Sequence, residues 1–140
     1  MGPVENVLRM AGEKALEAAK RKGLQAEAYL LHDQVINIEV VKGQIDTLKE
    51  AEETGLGLRV LRDGRLGFAY TSDLSDQALL RTVEDAASIC AYAEKDEFNV
   101  LPRGGYSYPQ MELLDREIEA ASMEEKSELA RSIEREARAR

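Results

Sequence analysis

One cysteine, one histidine and no tryptophan occur in the 140 residues. A lone Cys90 excludes an intramolecular disulfide and suits a reducing compartment. With His32 as the single histidine and no HExxH pattern, the three or four ligands of an ordinary zinc hydrolase centre cannot be assembled. Aromatics are scarce, two Phe and five Tyr, so an aliphatic core of Leu, Val, Ile and Ala is expected. No apolar run approaches the roughly 20 residues of a membrane span. The opening Met1-Gly2-Pro3-Val4-Glu5-Asn6 lacks the basic and apolar regions of a secretion signal, and Asn6 stands where a myristoylation start wants Ser or Thr. Positive charge is short too. Nineteen basic residues against 27 acidic ones leave a formal charge of −8. By segment, only residues 1–25 (+2) and 101–111 (+1) are positive, which argues against a nucleic-acid platform. These absences point to a cytoplasmic chain with neither nucleic acid nor membrane as partner.

The sequence that remains reads as α+β. Pro3 suits the first position of a helix. Val4, Val7, Leu8, Ala11, Ala15, Ala18 and Ala19 then recur at helical spacing, Lys20, Arg21 and Lys22 favour the end of the dipole, and Gly23 closes the helix, predicted over 4–22. The basic run is better explained as this C-terminal signature than as a binding site. From residue 26 the period becomes two. Ala28, Leu30, Ile36, Ile38 and Val40 share a face, which His32 and Gln34 interrupt, so a bend or bulge is expected at 32–34. Lys42-Gly43 reads as a hairpin turn into a more polar second strand over 44–51, and Glu52-Glu53-Thr54-Gly55 as a connection. Leu56, Leu58 and Val60 alternate in a third strand. Asp63-Gly64 gives the strongest turn signal, and Leu66, Phe68 and Tyr70 alternate in a fourth strand. Gly67 and Ala69, on its other face, allow close approach by another element. About four antiparallel strands over 26–71, with helices on one face, are therefore expected.

Ser75 is the N-cap of a second helix over 75–93, with Leu79, Val83, Ala86, Cys90 and Ala93 facing the sheet. Residues 94–111 concentrate Pro and Gly and read as a loop. Ser122-Met123-Glu124-Glu125 is a capping box that opens a third helix over 122–139, with Met123, Ala130, Ile133 and Ala137 on one face. That stripe still runs at Arg140. A single domain over 1–140, cut from a longer protein, is the expectation.

The chemistry-bearing residues are few. His32 reads as a strand histidine with a local hydrogen bond, since a general base needs a positioned partner and Asp33 points to the opposite face. Cys90 lies in an apolar helix stripe under negative local charge and reads as an inert small hydrophobe. The pairs Glu52-Glu53, Asp96-Glu97 and Glu124-Glu125 lack calcium-loop spacing and read as solvated surface. Gly55-Leu56-Gly57 precedes a strand and lacks the third glycine of a dinucleotide fingerprint. Gly104-Gly105 beside Arg103 and Tyr106 fits a flexible linker as well as an anion nest. No catalytic and no metal-binding residue is assigned.

One long stretch carries a resemblance. Gly55-Leu56-Gly57-Leu58-Arg59-Val60 followed by Asp63-Gly64-Arg65-Leu66-Gly67-Phe68-Ala69-Tyr70-Thr71-Ser72-Asp73-Leu74-Ser75 resembles the N-terminal domain of the TldD/PmbA family. The surrounding Ala26-Glu27-Ala28-Tyr29, Lys42-Gly43-Gln44-Ile45-Asp46 and the helix at 79–93 agree with it, over roughly residues 5–138. Asp96-Glu97-Phe98-Asn99 followed by Leu101-Pro102 looks closer to the PmbA branch. The resemblance implies a cytoplasmic zinc-dependent metalloprotease or its partner subunit, of a kind also known as modulators of DNA gyrase. The family's HExxxH zinc motif lies beyond this region, so zinc would belong to a catalytic portion outside this chain, and no cofactor is expected within it. The matching positions Gly55, Gly57, Arg59, Gly64, Gly67, Phe68 and Ser75 have structural explanations: turns, close packing and a helix cap.

The expected role is therefore a non-catalytic domain that supports dimerisation, as a homodimer or a TldD/PmbA-type heterodimer, and admission of an unfolded peptide. The peptide would pair with an open sheet edge, with 44–51 the candidate. The alternative is a regulatory protein-binding adapter, directed at gyrase or another protein, with no role in proteolysis.

Overall fold

A computed structural model of the chain describes residues 3–102, 104–109, 111, 113 and 115–139. Met1, Gly2, Arg103 and Arg140 lie outside the described residues, and with them the start pattern and one member of the 103–106 loop cluster. The elements run α1 (Pro3–Arg21), β1 (Gln25–Val41), β2 (Gln44–Arg62), β3 (Arg65–Thr71), α2 (Asp76–Tyr92), α3 (Arg116–Ala120) and α4 (Met123–Arg138). The class is α+β, with one sheet in the order β1-β2-β3.

The sheet has three strands rather than four. Residues expected to form a second strand, a connection and a third strand are one continuous β2. The acidic pair Glu52-Glu53 sits exposed on an extended backbone, and Gly55 does not take the positive φ that a turn would use. β1 is likewise unbroken through 32–34. Ala28, Leu30, Ile36, Ile38 and Val40 are all half-buried, so the period of two continues and only burial lapses at 31–35. Both turns have the geometry their sequences foretell. Lys42 and Asp63 have φ 54°, and Gly43 and Gly64 have φ 76°. Successive positive φ values define the type I′ hairpin, whose twist matches that of the strands.

The chain forms two compact units, Met1–Asp33 with Glu52–Gly104, and Gln34–Ala51 with Gly105–Arg140. In the first, β3 pairs antiparallel with β2, Leu58 opposite Ala69 and Val60 opposite Gly67. Leu56, Leu58, Val60, Leu79, Val83, Ala86 and Cys90 join Ala11, Ala15, Ala18, Ala19 and Leu24 in one core. Full burial of a Leu or Val stabilises by about 1.5–3 kcal/mol. α2 packs on β3, and α1 beside α2. The alanine stripe of α1 is what allows the helices this approach. α1 ends in a Schellman motif, with Gly23 (φ 71°) donating to the Lys20 carbonyl at 2.9 Å and Leu24 to that of Ala19 at 3.2 Å.

Gly67 is where helix and sheet meet. A Cβ there would lie 2.0 Å from the Ala86 carbonyl oxygen and 2.6 Å from the Cys90 nitrogen. The Cys90 thiol donates to the Arg65 carbonyl at 3.2 Å. The Arg65 guanidinium donates to the Ala93 carbonyl at the end of α2. Ser75 caps α2 by accepting from the Ala78 amide, and the Asp73 carboxylate accepts from the Ser75 amide at 2.8 Å. That backbone bond holds the Asp73 carboxyl below its ordinary value.

In the second unit the hairpin of residues 34–51 accompanies two helices. Ser122 and Glu125 form a reciprocal capping box at the start of α4. The five-residue α3, capped by Asp115, has no counterpart in the sequence reading, because so short a helix shows no period. Of the expected α4 stripe, Met123 and Ala130 are half-buried, whereas Ile133 and Ala137 are exposed.

Candidate functional site

Residues that face each other across a strand pair share one side of the sheet. Gly67 and Ala69 are on the core side, so Leu66, Phe68 and Tyr70 are on the other. Register places Tyr70 opposite Gly57 and Phe68 opposite Arg59. Phe68 is 50% exposed, Tyr70 80% and Tyr29 70%. The aromatic side chains of the sheet therefore line its outer face rather than the core. The core can be aliphatic because α1 and α2 meet it with small residues.

On this outer face Tyr29, Leu31, Gly55, Gly57, Phe68 and Tyr70 line a recess of about 340 Å³, with Glu53 and Thr54 also in its lining. Gly57 forms its floor. A Cβ on Gly57 would sit 3.3 Å from Cε2 and Cζ of Phe68, so the ring lies against bare backbone. Beside the recess, the Arg59 guanidinium pairs with Glu27 at 2.5 Å, and Arg59 Nε has no partner among the described residues. The half-exposed pair leaves charge of both signs beside an apolar surface.

Of the seven motif residues, the structure brings Gly55, Gly57 and Phe68 together in the recess, with Arg59 at its border. Gly67 lies on the opposite face and Ser75 at the start of α2. Gly64 is in the β2–β3 turn, where its carbonyl accepts from the Asp96 amide at 2.9 Å and from Asn99 Nδ2 at 3.1 Å. Sequence reasoning did not single out Tyr29, Leu31 and Tyr70 as a surface. The signal was their phase: Tyr29 and Leu31 are odd-numbered, whereas Ala26, Ala28 and Leu30 of the same strand pack against the core.

The strand edges are the second feature. β3 covers only Leu56–Arg62 of β2. Residues 44–51 therefore have β1 on one side and, among the described residues, no strand on the other. Their side chains are mostly exposed. Nearby, Gln34 Nε2 donates to Glu50 Oε1 at 2.8 Å.

The remaining candidates are spent locally. His32 Nδ1 lies 3.1 Å from the Thr54 hydroxyl and 3.8 Å from Glu52 Oε1. Asp96 accepts from the Phe98 amide, Glu124 pairs with Arg131 and Glu125 serves the cap. Among the described residues no three His, Cys, Asp or Glu side chains gather as a metal-ligand set, so the donor chemistry present does not fit a zinc ion. Also among them, no helix is long and apolar enough to cross a membrane.

Residues 26–90 match the family described as PmbA/TldA metallopeptidase domain 1. Over this stretch, 65 of the 140 residues, the chain is similar to the first domain of the PmbA/TldD family. It is similar to the metalloprotease PmbA of Escherichia coli O157:H7, 32% identical over 90 residues, a stretch that is 64% of this chain and 20% of that protein. It shares its fold with a proposed modulator of DNA gyrase from Bacteroides thetaiotaomicron VPI-5482, at TM-score 0.77 and 25% identity over 91% of this chain and 30% of the other. The likeness to the corresponding Thermotoga maritima MSB8 protein (TM-score 0.75, 22% identity, 88% of this chain and 27% of the other) is one of fold. The chain spans about a fifth of the length of the curated relatives it matches.

Proposed function

We propose that this chain is a non-catalytic first domain of a cytoplasmic PmbA/TldD-type zinc metallopeptidase, or of its partner subunit, and that it serves dimerisation and the admission of unfolded peptide. The observation that carries the reading is the edge of residues 44–51, which no strand among the described residues pairs. An extended peptide would add to it through backbone hydrogen bonds, which depend little on peptide sequence. The recess beside Phe68 and Tyr70 offers a separate apolar surface for peptide side chains. Absence of a zinc-fitting donor set among the described residues supports assigning bond cleavage to the remainder of the longer relatives. The alternative, an adapter directed at gyrase or another protein with no part in proteolysis, draws on the names of the solved relatives, but a net charge of −8 argues against a basic platform for DNA.

The test is to incubate the purified 140-residue chain with zinc and a fluorescently labelled unfolded peptide, following anisotropy and cleavage together. Saturable binding without cleavage is expected. Turnover in the presence of zinc, or no binding at any concentration, would contradict the reading.

A further inference from the structure

α4 presents two faces. Ser127 is buried, and Met123, Ala130 and Glu134 beside it are half-buried. On another face lie Lys126, Leu129, Ile133 and Glu136, spaced three, four and three residues apart, which is the repeat of a helix-pairing seam. Leu129 and Ile133 are each 62% exposed. The charges of α4 divide the same way. Arg131 pairs with Glu124 and Glu128, Arg135 with Glu128, and Arg138 with Glu134. Glu125 is held in the capping box. Among the described residues, the two charged α4 side chains with neither a salt bridge nor a hydrogen bond are the exposed Glu136 and the half-buried Lys126, whose charge also acts on neighbouring Glu125, and they bracket the exposed apolar pair.

This face is complementary to itself in one orientation. When two copies cross antiparallel about a two-fold axis at Arg131, residue 126 meets 136 of the other copy and 129 meets 133. Each end then joins an ammonium to a carboxylate, and the middle packs leucine on isoleucine. A parallel arrangement would set like charges together. We infer that the outward face of α4 is a self-association surface, through which a second copy of this chain docks antiparallel. The inference deepens the dimerisation part of the proposed function by naming the surface and the register. Ten residues of helix span about 15 Å. Such a seam lies below the size of a standard stable interface, so the association is weak and concentration-dependent.

Sedimentation velocity of the full chain over a concentration series tests this, with circular dichroism to show that each variant folds. The parent chain is expected to pass from monomer to dimer. K126E and E136K should each raise the dimer Kd roughly tenfold, since each turns two attractive pairs into repulsive ones. The double variant K126E/E136K should regain most of the loss, because it restores opposite charges across the axis. A monomer at every concentration overturns the inference. So does a dimer indifferent to K126E and to Leu129→Asp, or a double variant weaker than either single one. An indifferent dimer would leave dimerisation standing through another face. Loss of peptide binding in Leu129→Asp without loss of self-association would assign the face to another occupant and also sink the inference. Peptide binding by K126E, measured in parallel, reports on substrate admission independently.

Discussion

Position 67 is glycine because a helix backbone lies on it. The Ala86 carbonyl is 2.0 Å from where a Cβ would stand, and neither the α2 backbone nor β3, paired with β2, can yield cheaply. Gly67→Ala should destabilise the chain by about 3 kcal/mol, read as a lower urea midpoint. Gly104→Ala, with nothing within 4 Å, should stay within about 0.5 kcal/mol. Equal effects would mean that α2 does not sit on β3 as described. The same residue shows what a period can and cannot reveal. Alternation separates Gly67 and Ala69 from Phe68 and Tyr70, yet does not say which pair faces the core. Small residues on α1 and α2 decide it, and that is a tertiary fact.

At the scale of elements, the hairpin tip and α4 are joined by one carboxylate. Glu134 accepts from the Lys42 amide at 2.8 Å and from the Gly43 amide at 2.6 Å, while Arg138 pairs with it at 3.1 Å. The Gly43 amide is the main cause that holds the Glu134 carboxyl below its ordinary value of 4.5, with the Lys42 amide and the Arg138 charge adding to it. A carboxyl depressed in the folded state contributes stability that is complete above the unfolded value and disappears as pH falls through the folded one. The tie should therefore be intact from pH 5 to 8, roughly, and loosen below about pH 4. Amide hydrogen exchange at Lys42 and Gly43 should speed up in Glu134→Ala at neutral pH, and unchanged exchange would remove the tie from the account. At the start of the same helix, Ser122→Ala should cost about 1 kcal/mol through loss of the cap. Caps, turns and helices were legible because each has a local chemical signature: a Ser three residues before a Glu, a Gly after a Lys or Asp, a stripe of alanines. The length of β2 was not. Glu52-Glu53-Thr54-Gly55 carries the composition of a loop, and only pairing with β1 keeps it extended. Nor was the contact between Glu134 and residues 42–43, some 90 residues away, written in any local pattern.

For the whole molecule, the family match and the acidic balance bear on the same question: what such a chain contributes without a metal-ligand set of its own among the described residues. The sequence resemblance and the fold agree in class. The candidate surfaces, a strand edge with no strand partner among the described residues and an aromatic recess, emerged only when strand order and register were known. The most direct measurement is an NMR titration of the isotopically labelled 140-residue chain with an unfolded peptide in the presence of zinc. The account predicts that amides of residues 44–51 shift and broaden while the peptide stays intact. Shifts confined to other residues, or a cleaved peptide, would contradict it.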